Sequence, residues 1–304
     1  MKDHSLEVHG CHTYDATGAI SPAICLSATF RHPRFGESTG YDYGRVANPT
    51  RESLEKTVAL LERGGRSWAL SSGMAAVQLV FSLLSAGDHV LMSEDLYGGT
   101  VRLAEEVFAG YGVTFEYVDV RDLALVGKRM RSETKLVFIE TPSNPMMQIS
   151  DIAALSALAH ENGALLAVDN TFLSPHFQKP LTLGADIVLH SGTKYLCGHN
   201  DVIAGFLVLK DATSAQAKRI ELLAKSAGPN LSALDSWLML RSIKTLGVRV
   251  ERQAENALAI AQWLGTLPEV TEVLYPGLAD HPGYALQQKQ ASGAGGMISF
   301  KVRS

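Results

Sequence analysis

The chain has 304 residues, 46% hydrophobic and 19% charged, a globular balance that excludes disorder along its length. Its net charge of −4 provides no global basic field for nucleic acid or anionic lipid, though it allows a local cationic site for one phosphate. The opening MKDHSLEV lacks the apolar core of a secretory signal, no run of about 18 apolar residues reads as a membrane span, and three cysteines (Cys11, Cys25, Cys197) suit the reduced thiols of a cytoplasmic protein.

In chain order, residues 1–40 are irregular, with Pro22, Pro33 and several glycines, and read as an extended N-terminal arm. His9-Gly-Cys11-His12 reads as polar residues on that arm, because no second ligand pair at structural-site spacing follows. From 41 to 230 two periodicities alternate. Short apolar runs fall at Ser67–Leu70, His89–Met92, Thr114–Val118, Leu136–Ile139, Ala164–Val168, Asp186–Leu189 and Gly205–Leu209. Helical patterns lie between them at Arg51–Leu61, Met74–Leu84, Thr100–Ala109 and Ile152–Asn162. This rhythm predicts an α/β domain with an open, mainly parallel sheet covered by helices. Residues 231–304 form a second region: a helical pattern from Leu231 to about Leu264, interrupted at Gly247, then strands Val270–Leu274 and Gly296–Val302 joined by a polar loop.

Open parallel sheets gather ligands beyond the carboxyl ends of their strands. Five such ends carry unusual residues. The run ending at Val168 delivers Asp169, a carboxylate that needs a cationic or hydrogen-bonding partner if buried; capping the next turn is its plain alternative. The run ending at His190 delivers Ser191-Gly-Thr193-Lys194, an amine able to form an imine flanked by two hydroxyls; a solvated loop lysine is the alternative. Ser71-Ser72-Gly73-Met74 turns from a strand into a helix whose first amides suit an anion, or else holds an ordinary serine cap. Tyr97-Gly-Gly99 presents a ring able to lie on a flat cofactor, or a core tyrosine. Glu140-Thr-Pro-Ser-Asn144-Pro fixes an amide, or makes a simple Asn-Pro turn. Together they supply what pyridoxal 5′-phosphate requires: an imine lysine, a partner for the ring nitrogen, a phosphate cradle and a stacking ring.

On Asp186–Tyr195 and Val168-Asp-Asn-Thr-Phe172, the chain resembles the Cys/Met-metabolism family of fold-type I pyridoxal phosphate-dependent enzymes. The resemblance implies a seven-stranded, mainly parallel sheet in the cofactor domain at 41–230, with an interdomain helix and an incomplete C-terminal α+β domain at 231–304. It implies the cofactor as a Schiff base on Lys194, Asp169 on the pyridine nitrogen, Tyr97 stacked on the ring and assisting proton transfer, and Asn144 near the 3-hydroxyl. Ser72, the Gly73 and Met74 amides, Ser191 and Thr193 hold the phosphate by the same resemblance. Tyr43 and Arg45, in Tyr41-Asp-Tyr43-Gly-Arg45, reach a neighbouring subunit's phosphate site, which implies a homodimer with shared active sites and a homotetramer of two such pairs. It further implies that a distal arginine for the substrate carboxylate lies beyond Ser304.

Methionine γ-lyases of the family carry a cysteine where this chain has Gly99. The segments 36–43 and 93–100 look most like bacterial cystathionine γ-synthases or O-acetylhomoserine thiolyases. The expected reaction is therefore γ-replacement on an O-acylhomoserine by cysteine or sulfide. The alternatives are a cystathionine β- or γ-lyase, and an inactive relic or fragment that binds the cofactor only.

Overall fold

The computed structural model describes residues 3–10 and 18–303; Cys11 and His12 of the polar N-terminal cluster lie outside the described residues. In chain order the main elements are α1 (Asp3–His9), α2 (Pro49–Leu61), β1 (Arg66–Leu70), α3 (Gly73–Phe81), β2 (His89–Ser93), α4 (Gly98–Leu103), β3 (Thr114–Val118), α5 (Leu123–Arg129), β4 (Thr134–Glu140), α6 (Ile152–Glu161), β5 (Leu165–Asp169) and α7 (Ser174–Phe177). They continue with β6 (Ile187–Ser191), β7 (Gly205–Leu209), α8 (Ala215–Ala227), α9 (Ala233–Ile243), α10 (Leu246–Leu264), β8 (Val270–Leu274), α11 (Tyr284–Gln290) and β9 (Ser299–Val302).

Seven strands form one sheet in the order β1-β7-β6-β5-β4-β2-β3. The pairs β2–β3, β2–β4, β4–β5 and β5–β6 are parallel. One pair differs: β1 and β7 run antiparallel to each other, in the register Arg66↔Leu209 to Leu70↔Gly205. Both β2 and β7 are buried at every position, as their uninterrupted apolar runs require of strands covered on two faces. The seven apolar runs seen in the sequence are these seven strands, within two residues at each end.

Helix starts follow local chemistry. The Asn48 side chain accepts from the amides of Thr50 and Arg51, with Pro49 pre-set at the first helical position of α2. Ser72, Asp122, Asp151, Ser214 and Ser232 cap α3, α5, α6, α8 and α9 in the same way. Helix α8 ends on Gly228 in the left-handed region.

Three local expectations change. The arm opens with a helix, α1, rather than running extended throughout. The helical pattern from Leu231 to Leu264 is two helices. Thr245 sends its amide and hydroxyl back to the Ser242 carbonyl, and this tight turn closes α9 just ahead of Gly247. The polar loop between the last two strands holds α11, whose Gln287 is buried and donates to the Gly293 carbonyl at 2.6 Å.

The chain forms two compact units, Met1–Leu83 with His190–Leu246, and Leu84–Leu189 with Gly247–Ser304. Within the first, α2 packs on α9 and on β1, with Leu54 and Val58 fully buried. Within the second, β8 and β9 pair antiparallel beside a small core of Ala257, Ala261, Tyr275 and Ala294, where the Tyr275 hydroxyl donates to the Gly295 carbonyl. Among the described residues no helix is long and apolar enough to cross a membrane.

Candidate active site

The first unit brings together Ser72, Gly73, Met74, Ser191, Thr193 and Lys194. Ser191 ends β6, and Lys194 follows in a turn whose amide donates to the Ser191 carbonyl at 3.2 Å. The start of α3 lies directly against this strand end: a Cβ on Gly73 would sit 2.9 Å from the Ser191 Cβ. A Cβ on Gly205 would sit 1.9 Å from the Ser72 carbonyl oxygen, so two glycines let the helix start, β6 and β7 converge. The Ser72 hydroxyl accepts from the Ala75 amide at 3.1 Å. The preceding amides, Gly73 and Met74, belong to the helix's first turn, which has no intrahelical acceptors to offer and contains no acidic side chain. The Thr193 hydroxyl accepts from the Ala204 amide at 3.0 Å and donates to the Ala204 carbonyl at 3.2 Å, pinning the lysine turn to the residue before β7. Lys194 itself is exposed on the chain.

One supporting pair escaped the sequence reading. His190, immediately before Ser191, meets Glu62 at 2.6 Å, and both are fully buried. The pair ties the end of β6 to the C-terminal end of α2. Polar residues inside an apolar run are the only sequence signal for it.

Tyr43 and Arg45 also belong to the first unit, away from that cluster. The Arg45 guanidinium stacks 5.3 Å from the Tyr43 ring centre and donates to the Lys225 carbonyl at the end of α8. Both side chains are exposed.

The second unit brings together Tyr97, Asn144 and Asp169. Asp169 ends β5, and its Oδ1 accepts from the Thr171 amide at 3.0 Å and the Thr171 hydroxyl at 2.5 Å. The turn-capping role weighed from the sequence is therefore real, and it orients the carboxylate. Tyr97 precedes α4 with its ring half exposed, and beyond Gly98 a Cβ would meet open space. Asn144 sits in the loop after β4, between the cis peptides Thr141–Pro142 and Asn144–Pro145.

Glu140 is the residue here that sequence reasoning passed over. It ends β4 in register with Asp169, is only 5% exposed, and accepts the Tyr97 amide at 2.9 Å. Burial pushes its carboxyl well above the usual range, and the negative charges of Asp169 and Asp95 push it further. The available signal was a glutamate closing an otherwise apolar strand, the pattern that singled out Asp169.

Residues 4–304 match the profile of the family described as Cys/Met metabolism PLP-dependent enzyme. The chain is 46% identical to the cystathionine gamma-lyase of Bacillus subtilis (strain 168), covering 100% of this chain and 80% of the relative. It is 44% identical to the cystathionine gamma-synthase/O-acetylhomoserine (thiol)-lyase of the same organism, covering 92% of this chain and 75% of that one. The crystal structure of cystathionine gamma-lyase from Lactobacillus plantarum, complexed with L-serine, superposes with a TM-score of 0.97 at 44% identity, over 100% of this chain and 79% of that one.

Proposed function

The chain belongs to the Cys/Met-metabolism family of pyridoxal 5′-phosphate-dependent enzymes, and from that premise we propose that it catalyses γ-replacement on an O-acylated homoserine by cysteine or sulfide. Its cofactor is pyridoxal 5′-phosphate, and its class is transferase or carbon–sulfur lyase of sulfur amino-acid metabolism. The observation that carries the residue assignment is the packing of the α3 start against Ser191, in the same turn as Lys194. A phosphate-suited helix start and an imine-forming amine are thereby neighbours within one unit.

Each unit, taken by itself, offers residues that fit part of the cofactor. The first-turn amides of α3, unopposed by acid, suit its phosphate. The Asp169 carboxylate, oriented by Thr171, suits a cation such as a protonated ring nitrogen. The half-exposed Tyr97 ring suits a flat aromatic face.

Bound pyridoxal phosphate supplies an electron sink for the substrate Cα. Lys194 would hold it, and its amine would also move protons at the substrate Cα and Cβ so that a leaving group on Cγ can depart. Asp169, aimed by Thr171, holds the ring nitrogen in its protonated form. Tyr97 packs on the ring and assists proton transfer, while Asn144 sits by the 3-hydroxyl. Ser72, Gly73, Met74, Ser191 and Thr193 surround the phosphate. Tyr43 and Arg45, exposed on this chain, serve the phosphate site of a second copy, in a homodimer that pairs into a cytoplasmic homotetramer.

A second reading, cystathionine cleavage, is favoured by the names of similar proteins: six relatives at 44–46% identity are cystathionine β- or γ-lyases. The segments 36–43 and 93–100 favour replacement, while Gly99 counts only against a methionine γ-lyase. Supplying O-acetyl- or O-succinylhomoserine with cysteine or sulfide, and cystathionine alone in parallel, separates them. Thioether or thiol product from the acylhomoserine supports replacement. Cleavage of cystathionine without that product overturns it, and cofactor binding without turnover of either substrate leaves only the cofactor assignment standing.

A further inference from the structure

The loops that follow β2 and β4 carry Tyr97 and Asn144, and each loop receives a carboxyl group from the other strand's end. From the β4 side, Glu140 accepts the Tyr97 amide at 2.9 Å. From the β2 side, Asp95 accepts the Met146 amide at 2.9 Å and the Ser143 hydroxyl. The Ser143 hydroxyl also accepts the Gln148 amide at 2.9 Å, and the Ser143 amide donates to the Gln148 carbonyl at 3.0 Å. The loop of Asn144 is thus closed on itself and anchored at Asp95. Two loops that would otherwise end separate strands are cross-tied in both directions.

We propose that Asp95 and Glu140 are positioning residues, a reciprocal carboxyl clamp that sets Tyr97 and Asn144 relative to each other and to Asp169 before the cofactor binds. The inference deepens the assignment of Tyr97 and Asn144 to the cofactor ring and rests on that reading.

Burial and two negative neighbours favour the neutral form of Glu140 in this role. It is buried, it shares a sheet register with Asp169, and the other charge bearing on it is Asp95. Both neighbours are negative, and the Tyr97 amide offers a neutral donor only. A second anion there would compete with Asp169 for the cation; a neutral acid leaves Asp169 as the negative group facing it. Its carbonyl oxygen is enough to hold the Tyr97 amide. Glutamine copies that neutral state and keeps a carbonyl acceptor for the Tyr97 amide, so it should serve in place of the acid.

Amide hydrogen exchange on the cofactor-free protein tests the clamp independently of the cofactor. E140A strips the Tyr97 amide of its acceptor and D95A strips the Met146 amide; each raises exchange at its own amide about tenfold or more. E140Q keeps Tyr97 exchange within about threefold of the parent. Pyridoxal phosphate Kd, measured on the same proteins, weakens about tenfold in E140A and less than in E140A for E140Q. Difference infrared spectra of the cofactor-free protein at neutral pH show a protonated-carboxyl stretch that E140Q removes. Parent-like Tyr97 exchange in E140A, cofactor binding as weak in E140Q as in E140A, or no such carboxyl stretch would each overturn the proposal. Should E140A fail to fold, exchange at the Met146 amide in D95A and the infrared band decide it. Loss of the Lys194 imine, by contrast, strikes the underlying functional reading and leaves the exchange result untouched.

Discussion

Gly205→Ala tests the convergence at the phosphate-suited helix start. Gly205 opens β7, pairs with Leu70 of β1, and backs onto the Ser72 carbonyl with room for a hydrogen only: an added Cβ would lie 1.9 Å from that oxygen, 2.3 Å from its carbon and 2.8 Å from the Gly73 amide nitrogen. All three are backbone atoms, so no side chain can swing away. The β1–β7 ladder or the Ser72 cap must give way. Overpacking of this kind costs about 1–3 kcal/mol, and loss of a serine cap about 1 kcal/mol more. The sum is roughly 2–4 kcal/mol, equivalent to a fall in Tm of about 4 °C or more for a chain of this size. Because the displaced atoms include the Gly73 amide, cofactor affinity falls as well. Thermal melts and pyridoxal phosphate titration of Gly205→Ala measure both. Gly127→Ala is the control: it lies within α5, its added Cβ meets only Leu158 at 3.9 Å, and it gains helix propensity of about 1 kcal/mol. A Gly205→Ala protein as stable as the parent, with parent-like cofactor affinity, would refute the reasoning.

His190→Ala removes the 2.6 Å partner of a fully buried carboxyl, Glu62, and lowers unfolding free energy by about 3 kcal/mol; an unchanged urea midpoint contradicts this. Burial raises Glu55 from its ordinary 4.5 to about 7, against the opposing pull of Arg51. A carboxyl that holds its proton more tightly when folded contributes stability below pH 4.5 and loses it as pH rises through 7, so Glu55→Gln flattens the stability profile across that window by up to about 3 kcal/mol. A profile equally steep in the variant would refute the cause. Asp169→Asn keeps an oxygen for the Thr171 amide and so keeps the fold, yet removes the charge facing the ring nitrogen; turnover falls about 100-fold or more while the melt stays parent-like. Parent-like turnover would remove Asp169 from its assigned role.

The strands and the lysine turn were legible because both leave local signatures. Seven apolar runs became seven strands, and the cap residues before α2, α3 and α6 sit where asparagine, serine and aspartate stand in the sequence. What the sequence left unread depends on distant partners. The antiparallel pairing of β1 with β7 joins residues some 140 positions apart, and apolar runs carry no direction. The split between α9 and α10 turns on Thr245 bonding back to Ser242, a choice that a helical period does not encode. Glu140 stands in plain view at the end of an apolar run, but its significance comes from Tyr97 and Asp169, which only strand pairing brings to it. The same holds for His190 and Glu62, 128 positions apart.

The central claim, that pyridoxal 5′-phosphate is held as an imine on Lys194, is tested most directly by borohydride reduction of the cofactor-loaded protein followed by peptide mass mapping. A phosphopyridoxyl group on the peptide containing Lys194, absent in Lys194→Ala together with the long-wavelength absorbance of the imine, is the result expected. Reduction that labels a different lysine, or an absorbance that survives in Lys194→Ala, would contradict it.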